Sequence, residues 1–385
     1  MWRHIASNFL TILILGMFLL VGIVGLGVQQ YRTPGPLAEA VCVTVPRGGS
    51  IKRLASDLAD KGVIESALVF ELGSDYTGKS DELKFGQYRI PEAASMETVV
   101  SIVTRGGRNT CGTEVVYRVG INKMQIQVRE LDPATNRFVE LASFDSEVSE
   151  PPIEYVELRE SGGAEFSVVI AEGVTSWQVV NELSAIDILV ADVQDTPPEG
   201  SLAPDSYDVT PDTRVSSIIA QMTERQSAII AEAWAERADG LPLESPEEAM
   251  ILASIVEKET GVPEERRQVA SVFVNRLNQG MKLQTDPTVI YGITQGEGIL
   301  GRGLRQSELR GETPWNTYVI PGLPPTPIAN PGRASIEAAL NPDTTEYIFF
   351  VADGTGGHAF ATTLDEHNRN VARWREIEAE RASDN

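Results

Sequence analysis

At 385 residues the chain is too long for one small core and is expected to divide into two or three domains. Its formal net charge of -23 excludes nucleic acid as a partner, because phosphate binding needs clustered Lys and Arg. The acidity is uneven: residues 140–200 carry fourteen Asp and Glu against one basic residue, Arg159. Such a run is either a solvated surface or connector, or a docking surface for a basic partner.

Residues 9–28 form an uncharged run of twenty mostly apolar residues. At about 1.5 Å per residue this spans a bilayer core of about 30 Å. Arg3 precedes the run, so residues 1–8 are expected in the cytoplasm and the body on the far side of the membrane. Ala38, Glu39 and Ala40 resemble a cleavage site but lie ten residues past the run, which favours a retained anchor followed by a linker over 29–40. Cys42 and Cys111 fall on the exported side, where they either pair or stay as two buried thiols.

Residues 41–45 read as a strand, followed by a turn through Pro46, Arg47, Gly48 and Gly49. Ser50 then caps a helix with Ile51, Leu54, Ala55 and Leu58 on one face. A second helix is expected over 66–72, a strand over 86–90 and a third helix capped by Ser95, with Gly106 and Gly107 closing the unit. A faint echo follows at 168–189: Val169 to Thr175 mirror the strand, turn and N-cap of Val43 to Ser50, and Val179, Val180 and Leu183 continue with helical spacing. Alternating residues in 114–128 and 138–144 suit strands, so 111–165 reads as a β-rich acidic insert.

Further on, Ser245, Pro246 and Glu248 form an S-x-x-E capping box with proline at N1. The helix they start carries Leu252, Ile255, Val256 and Glu259 at i, i+3, i+4 and i+7. Glu257 lies roughly 200° around the helix from Glu259 and does not share that face. A carboxyl held against apolar neighbours in a last helical turn loses hydration and meets the negative dipole end, so its pKa rises. Glu259 is thus a candidate general acid, or else a carboxylate paired with Lys258, Arg266 or Arg267.

A second amphipathic helix is expected over 264–278, with Val269, Val272, Phe273 and Leu277 inward. Residues 284–292 read as a polar loop whose Asp286 is held extended by Pro287. That loop either holds a ligand, with Tyr291 able to stack on a sugar ring, or is an ordinary Asp turn. Asn330 and Pro331 start a helix to about Leu340, and residues 347–352 form a strand that turns at 354–357 toward His358 as a hairpin. With three histidines and no H-E-x-x-H or cysteine cluster, neither metal nor cofactor is expected. No G-x-S-x-G or phosphate loop occurs.

The segments EGSLAPDSY at 199–207, ASIVEKET at 253–260, VASVFVNRL at 269–277, LQTDPTVIYG at 283–292, NTY at 316–318, GLPP at 322–325 and FVADG at 350–354 together resemble the endolytic murein transglycosylases, the YceG-like family. The resemblance implies an α+β chain: the anchor, a LysM-like domain at 41–110 that is either sugar-binding or a generic packing unit, the insert at 111–165, and a YceG-like catalytic domain at 166–385. It further implies a lyase that cleaves the β-1,4 bond between N-acetylmuramic acid and N-acetylglucosamine in nascent glycan strands and leaves 1,6-anhydro ends. The second glutamate of E-K-E, Glu259, is the implied acid and base, in a cleft lined by Gln284, Thr285, Asp286, Tyr291, Asn316, Tyr318 and His358. Peptidoglycan synthases are the implied partners. Two other readings stay open, a non-catalytic glycan-binding scaffold and a hydrolase using water, the second of which needs another carboxylate.

Overall fold

The computed structural model describes residues 2–46, 48–105, 111–145, 150–161 and 164–383. Arg47 of the first expected turn and the closing Gly106 and Gly107 lie outside the described residues. The chain divides into two units, 1–115 with 128–142 and 152–165, and 116–127 with 143–151 and 166–385.

The first unit opens with α1 (Trp2–Arg32), within which Leu13–Arg32 is long and apolar enough to cross a membrane. The helix continues past the expected end at 28 because its last turn is packed: Tyr31 is buried, and a Cβ at Gly73 would collide with its ring. Beyond it come β1 (Val41–Val45), α2 (Ile51–Asp60), α3 (Ala67–Tyr76), β2 (Gly86–Ile90) and α4 (Met96–Arg105). The strands pair antiparallel, Val41 opposite Ile90 and Val45 opposite Gly86. Val43, Val45, Leu54, Leu58, Phe70, Ile90, Val99 and Val103 close one core between them and the helices. Cys42 and Cys111 are disulfide-bonded, with their Cα atoms 5.6 Å apart.

Three strands follow, β3 (Thr113–Val119), β4 (Met124–Asp132) and β5 (Arg137–Phe144), then α5 (Ile153–Ser161), β6 (Ala164–Ile170), α6 (Ser176–Ala185) and β7 (Ser206–Val209). The strands expected as an insert do not form a sheet of their own. They join β6 and β7 in one five-stranded sheet of order β5-β4-β3-β6-β7, which leaves β3 as an internal strand with both edges paired.

The strand–turn–helix echo occurs four times among the described residues. Three places after each strand's last residue stands a left-handed residue: Gly48 (φ 72°), Ala93 (φ 51°), Gly173 (φ 79°) and Asp212 (φ 69°). Two places later a helix starts, on Ser50, Ser95, Thr175 and Arg214, the last heading α7 (Val215–Ala235). The hydroxyls of the first three accept from the backbone N–H of Arg53, Thr98 and Gln178, so each turn delivers an N-cap.

The second unit continues with α8 (Pro246–Glu259), α9 (Arg266–Asn278), α10 (Asp286–Thr294), α11 (Gln306–Leu309), α12 (Arg333–Leu340), the hairpin β8 (Phe349–Ala352) and β9 (His358–Ala361), and α13 (Leu364–Ser383). Leu252, Ile255, Val256, Val269, Phe273, Leu283, Ile336 and Leu340 form its core, with α8, α9 and α12 packed against one another.

The disulfide closes a loop with a sequence separation of 69, so opening it should cost about 4 kcal/mol through the unfolded state. Urea unfolding of the Cys42→Ser, Cys111→Ser double variant should show that loss as a lowered free energy of unfolding relative to the native protein.

Candidate functional site at the end of helix α8

Ser245 caps α8 by accepting from the Glu248 N–H at 3.3 Å, with Pro246 at the first helical position. The Glu248 carboxylate reaches past the cap to the Glu244 N–H at 2.6 Å. Residues 249–256 are all buried, so the helix is enclosed on every side rather than amphipathic. Past this buried stretch its last turn carries three charged residues, which leave in different directions. Glu257 accepts from the Gly332 N–H at 3.0 Å, Lys258 donates to the Gly173 carbonyl at 3.2 Å, and Glu259 accepts the Thr285 hydroxyl proton. Glu257 is therefore half-buried and bonded to backbone, although it lies off the Glu259 face. The three cations that could have neutralised Glu259 are engaged elsewhere: Lys258 at Gly173, Arg266 with Glu172 at 3.6 Å and Arg267 with Asp343 at 3.4 Å.

Thr285 stands at the N-cap of α10, yet its side chain does not cap that helix, because the hydroxyl goes to Glu259. Its backbone is fixed instead by Thr317 Oγ1, which accepts its N–H at 3.1 Å, and by Thr288 Oγ1, which donates to its carbonyl at 2.8 Å. The stretch expected as an extended loop is thus helical from Asp286. Pro287 is tolerated because the first helical turn has no N–H partner to lose, and Asp286 suits the positive dipole end. Tyr318 donates its phenol to Asp286 Oδ1 at 2.7 Å.

Arg276 and His358 complete the surroundings of Glu259. The Arg276 guanidinium is buried and donates to the carbonyls of Ile348 (2.7 Å) and Leu283 (2.5 Å). Glu265 accepts the His358 backbone N–H at 2.9 Å and meets Nδ1 of its ring at 2.7 Å. Burial pushes the Glu259 pKa up, the Asp286 charge adds to the rise, and the Thr285 hydroxyl, His358 and Arg276 oppose it. Burial, then Asp286, raises the Tyr318 phenol as well.

A second polar cluster lies around the other residues of the last turn. Glu199, pushed up by burial, accepts from the Ser176 N–H at 2.8 Å and is bonded by the Tyr291 phenol. Buried Asn330 donates to the Val174 carbonyl at 3.0 Å and accepts from the Leu202 N–H at 2.9 Å. Its engagement moves the start of the following helix from Asn330 to Arg333.

Of the residues expected in one cleft, Thr285, Asp286, Tyr318 and His358 come together with Glu259. Tyr291 does not: its phenol is bound to Glu199 and its ring packs on Trp315 at 5.7 Å, so it belongs to the second cluster. Asn316 is buried, with its amide spent on the carbonyls of Glu308, Leu309 and Gly311 and on the Tyr318 N–H, so it shapes the loop that presents Tyr318. Gln284 is exposed beside the cluster in the left-handed region (φ 50°), its N–H donated to the Thr317 carbonyl. Sequence reasoning missed Arg276, Glu265 and Thr317. Arg276 carried the signal that singled out Glu259, a charge at i+7 on the apolar stripe of Val269, Val272 and Phe273. Among the described residues no group of three or more His, Cys, Asp and Glu side chains is placed to hold a metal ion.

The enclosed helix with its acidic end, its neighbouring helix starts and the β8–β9 hairpin define an α+β domain with a half-buried carboxyl, Glu259, at the end of its central helix. The pattern of the YceG-like family matches residues 43–373, and the chain belongs to that family. It is 28% identical over 331 residues to the endolytic murein transglycosylase of Bacillus subtilis, covering 86% of this chain and 83% of that protein. It is 26% identical over 345 residues to the endolytic murein transglycosylase of Streptococcus pneumoniae, covering 86% of this chain and 58% of that longer protein. A solved yceG-like protein from Listeria monocytogenes shares 27% identity, with a TM-score of 0.42 over 86% of this chain and 98% of that one.

The raised pKa of Glu259 has a consequence for stability. The folded state holds this proton to higher pH than the unfolded chain, so the stability it confers is complete below the ordinary carboxylate value and is lost as pH rises through the raised one. Glu259→Gln should match the native protein in urea midpoint at acid pH and exceed it increasingly toward neutral pH. A constant difference across the range would refute the raised value.

Proposed function

We propose that this chain is an endolytic peptidoglycan lytic transglycosylase that cuts the β-1,4 bond between N-acetylmuramic acid and N-acetylglucosamine in nascent strands and leaves 1,6-anhydro ends. The observation that carries the reading is the situation of Glu259: a carboxyl raised by burial at the end of an enclosed helix, bonded by one hydroxyl and unpaired with Lys258, Arg266 or Arg267. The relatives named endolytic murein transglycosylases support it.

In the proposed reaction, protonated Glu259 gives its proton to the glycosidic oxygen as the bond from that oxygen to the muramoyl anomeric carbon breaks. The resulting carboxylate takes the proton of the same sugar's C6 hydroxyl, whose oxygen bonds to the anomeric carbon, so the enzyme ends as it began and no water is consumed. Thr285 supports the carboxylate form by donating to it. Asp286 and Tyr318, bonded to each other, are assigned to substrate hydroxyls, with Gln284 and His358 at the margin. A hydrolase reading asks Asp286 to activate water, but its Oδ1 is already bonded by Tyr318. A glycan-binding scaffold would not require a carboxyl with a raised pKa.

Residues 41–110 are read as a LysM-like domain holding glycan, α1 as the single inner-membrane span with its N-terminus in the cytoplasm, and peptidoglycan synthases as partners.

Digestion of peptidoglycan followed by mass spectrometry tests the assignment. The native protein should release strands one water lighter than reducing-ended ones, and Glu259→Gln should lower the rate by roughly 10²–10⁴-fold. Reducing ends would establish the hydrolase, and unimpaired release by the variant would remove Glu259 from its role.

A further inference from the structure

The face of α3 opposite its core is apolar and exposed. Phe70 and Ser74 point inward, while Leu68 (65% exposed), Leu72 (59%) and Tyr76 (90%) follow each other at i, i+4 and i+8 on the other side. Three large side chains in one stripe are more than scattered surface apolarity and mark a contact surface.

The neighbouring helix indicates what covers it. The last turn of α1 is fastened to α3 and α4 with no free linker between. Tyr31 (6% exposed) packs on Gly73, Gln30 donates to Glu65 at 3.1 Å, and Arg32 lies 3.7 Å from Glu97. Val28 ends the uncharged run, and Tyr31 lies three residues on, or about 4.5 Å along the helix. The headgroup layer on each side of a bilayer is about 5–7 Å deep, so a helix touching Tyr31 lies at headgroup level. We infer that the Leu68, Leu72 and Tyr76 stripe of α3 lies in the interfacial layer of the membrane crossed by α1, so that the first unit rests on the lipid surface rather than swinging free of it.

The chemistry of the stripe fits that occupant. A tyrosine at one end suits the level where an apolar ring and a polar hydroxyl are both satisfied. Glu71 and Asp75 flank the stripe, so the contact is apolar insertion and needs no anionic headgroup.

The test uses the full chain in phosphatidylcholine vesicles with its native disulfide intact and one spin label at a time, on Val21→Cys in α1, Leu72→Cys on the stripe, or Lys61→Cys at the exposed end of α2. Collision with oxygen relative to a water-soluble nickel chelate reports lipid exposure. We expect the ratio at 72 to lie between those at 21 and 61, several-fold above 61 and unchanged by salt. A ratio at 72 equal to that at 61 overturns the inference. Spin–spin broadening at 72 assigns the stripe to a second copy and overturns it too, and a water-like ratio at 21 removes the anchor along with it.

Discussion

A helix buried on all sides must end on polar residues that its surroundings can satisfy, and the second unit is arranged around that requirement at the end of α8. Glu257, Lys258 and Glu259 leave the helix about 100° apart from one residue to the next, so no single neighbour can serve all three. Each finds the start of a different helix. Glu257 takes the Gly332 N–H at the cap of α12, Lys258 reaches the Gly173 carbonyl in the turn leading to α6, and Glu259 meets Thr285 at the cap of α10. Helix starts carry unpaired N–H groups and the positive end of the dipole, which makes them natural partners for two carboxylates. A Cβ at Gly332 would meet the Glu172 carboxylate beside it, which would have to move aside.

Thr285 shows how this arrangement trades local for tertiary bonding. A threonine at an N-cap ordinarily accepts from its own helix, worth about 1 kcal/mol. Here the hydroxyl is donated away from the helix to Glu259, and the lost cap is offset by Thr288 and Thr317, both buried, which bind the Thr285 backbone. The two hydroxyls also bond to each other at 2.8 Å, so the start of α10 is held by a small threonine network rather than by its own cap. A side chain given up by local structure in this way is positioned for Glu259 and for little else.

The limits of the sequence follow from the same physics. The α8 boundaries were legible because capping box, proline and apolar spacing agree, and the last-turn position of Glu259 followed from them. The start of α10 was not, because Asp-Pro disfavours helix locally while Thr288 and Thr317 enforce it through contacts distant in sequence. The repeated turn of the strand–turn–helix unit was legible where glycine marks the left-handed position, at Gly48 and Gly173. Ala93 and Asp212 adopt the same backbone without announcing it. The pairing of Glu265 with His358 spans 93 residues and leaves no local trace, whereas Arg276 did carry a readable signal. Asn316 and Tyr291 look like ligand-facing residues in a list of polar side chains, and only their partners show that they are spent on the framework.

For a carboxyl proposed to give a proton and then accept one, neither extreme of pKa is useful. Burial alone would drive Glu259 toward a neutral group too weak to release its proton, and full pairing with a buried arginine would leave it a carboxylate too weak to regain one. The structure sets these against each other. Burial and Asp286 raise the value, while Thr285, His358 and Arg276 restrain it. Arg276 lies close enough to act through its charge while its guanidinium is occupied by the carbonyls of Ile348 and Leu283, and His358 is held by Glu265. The two nearby basic side chains are thus tethered to other partners, so they lower the pKa of Glu259 without claiming its carboxylate. Burial is the largest of these influences, so Glu259 keeps a raised pKa and is disposed to hold the proton with which the proposed intramolecular transfer begins.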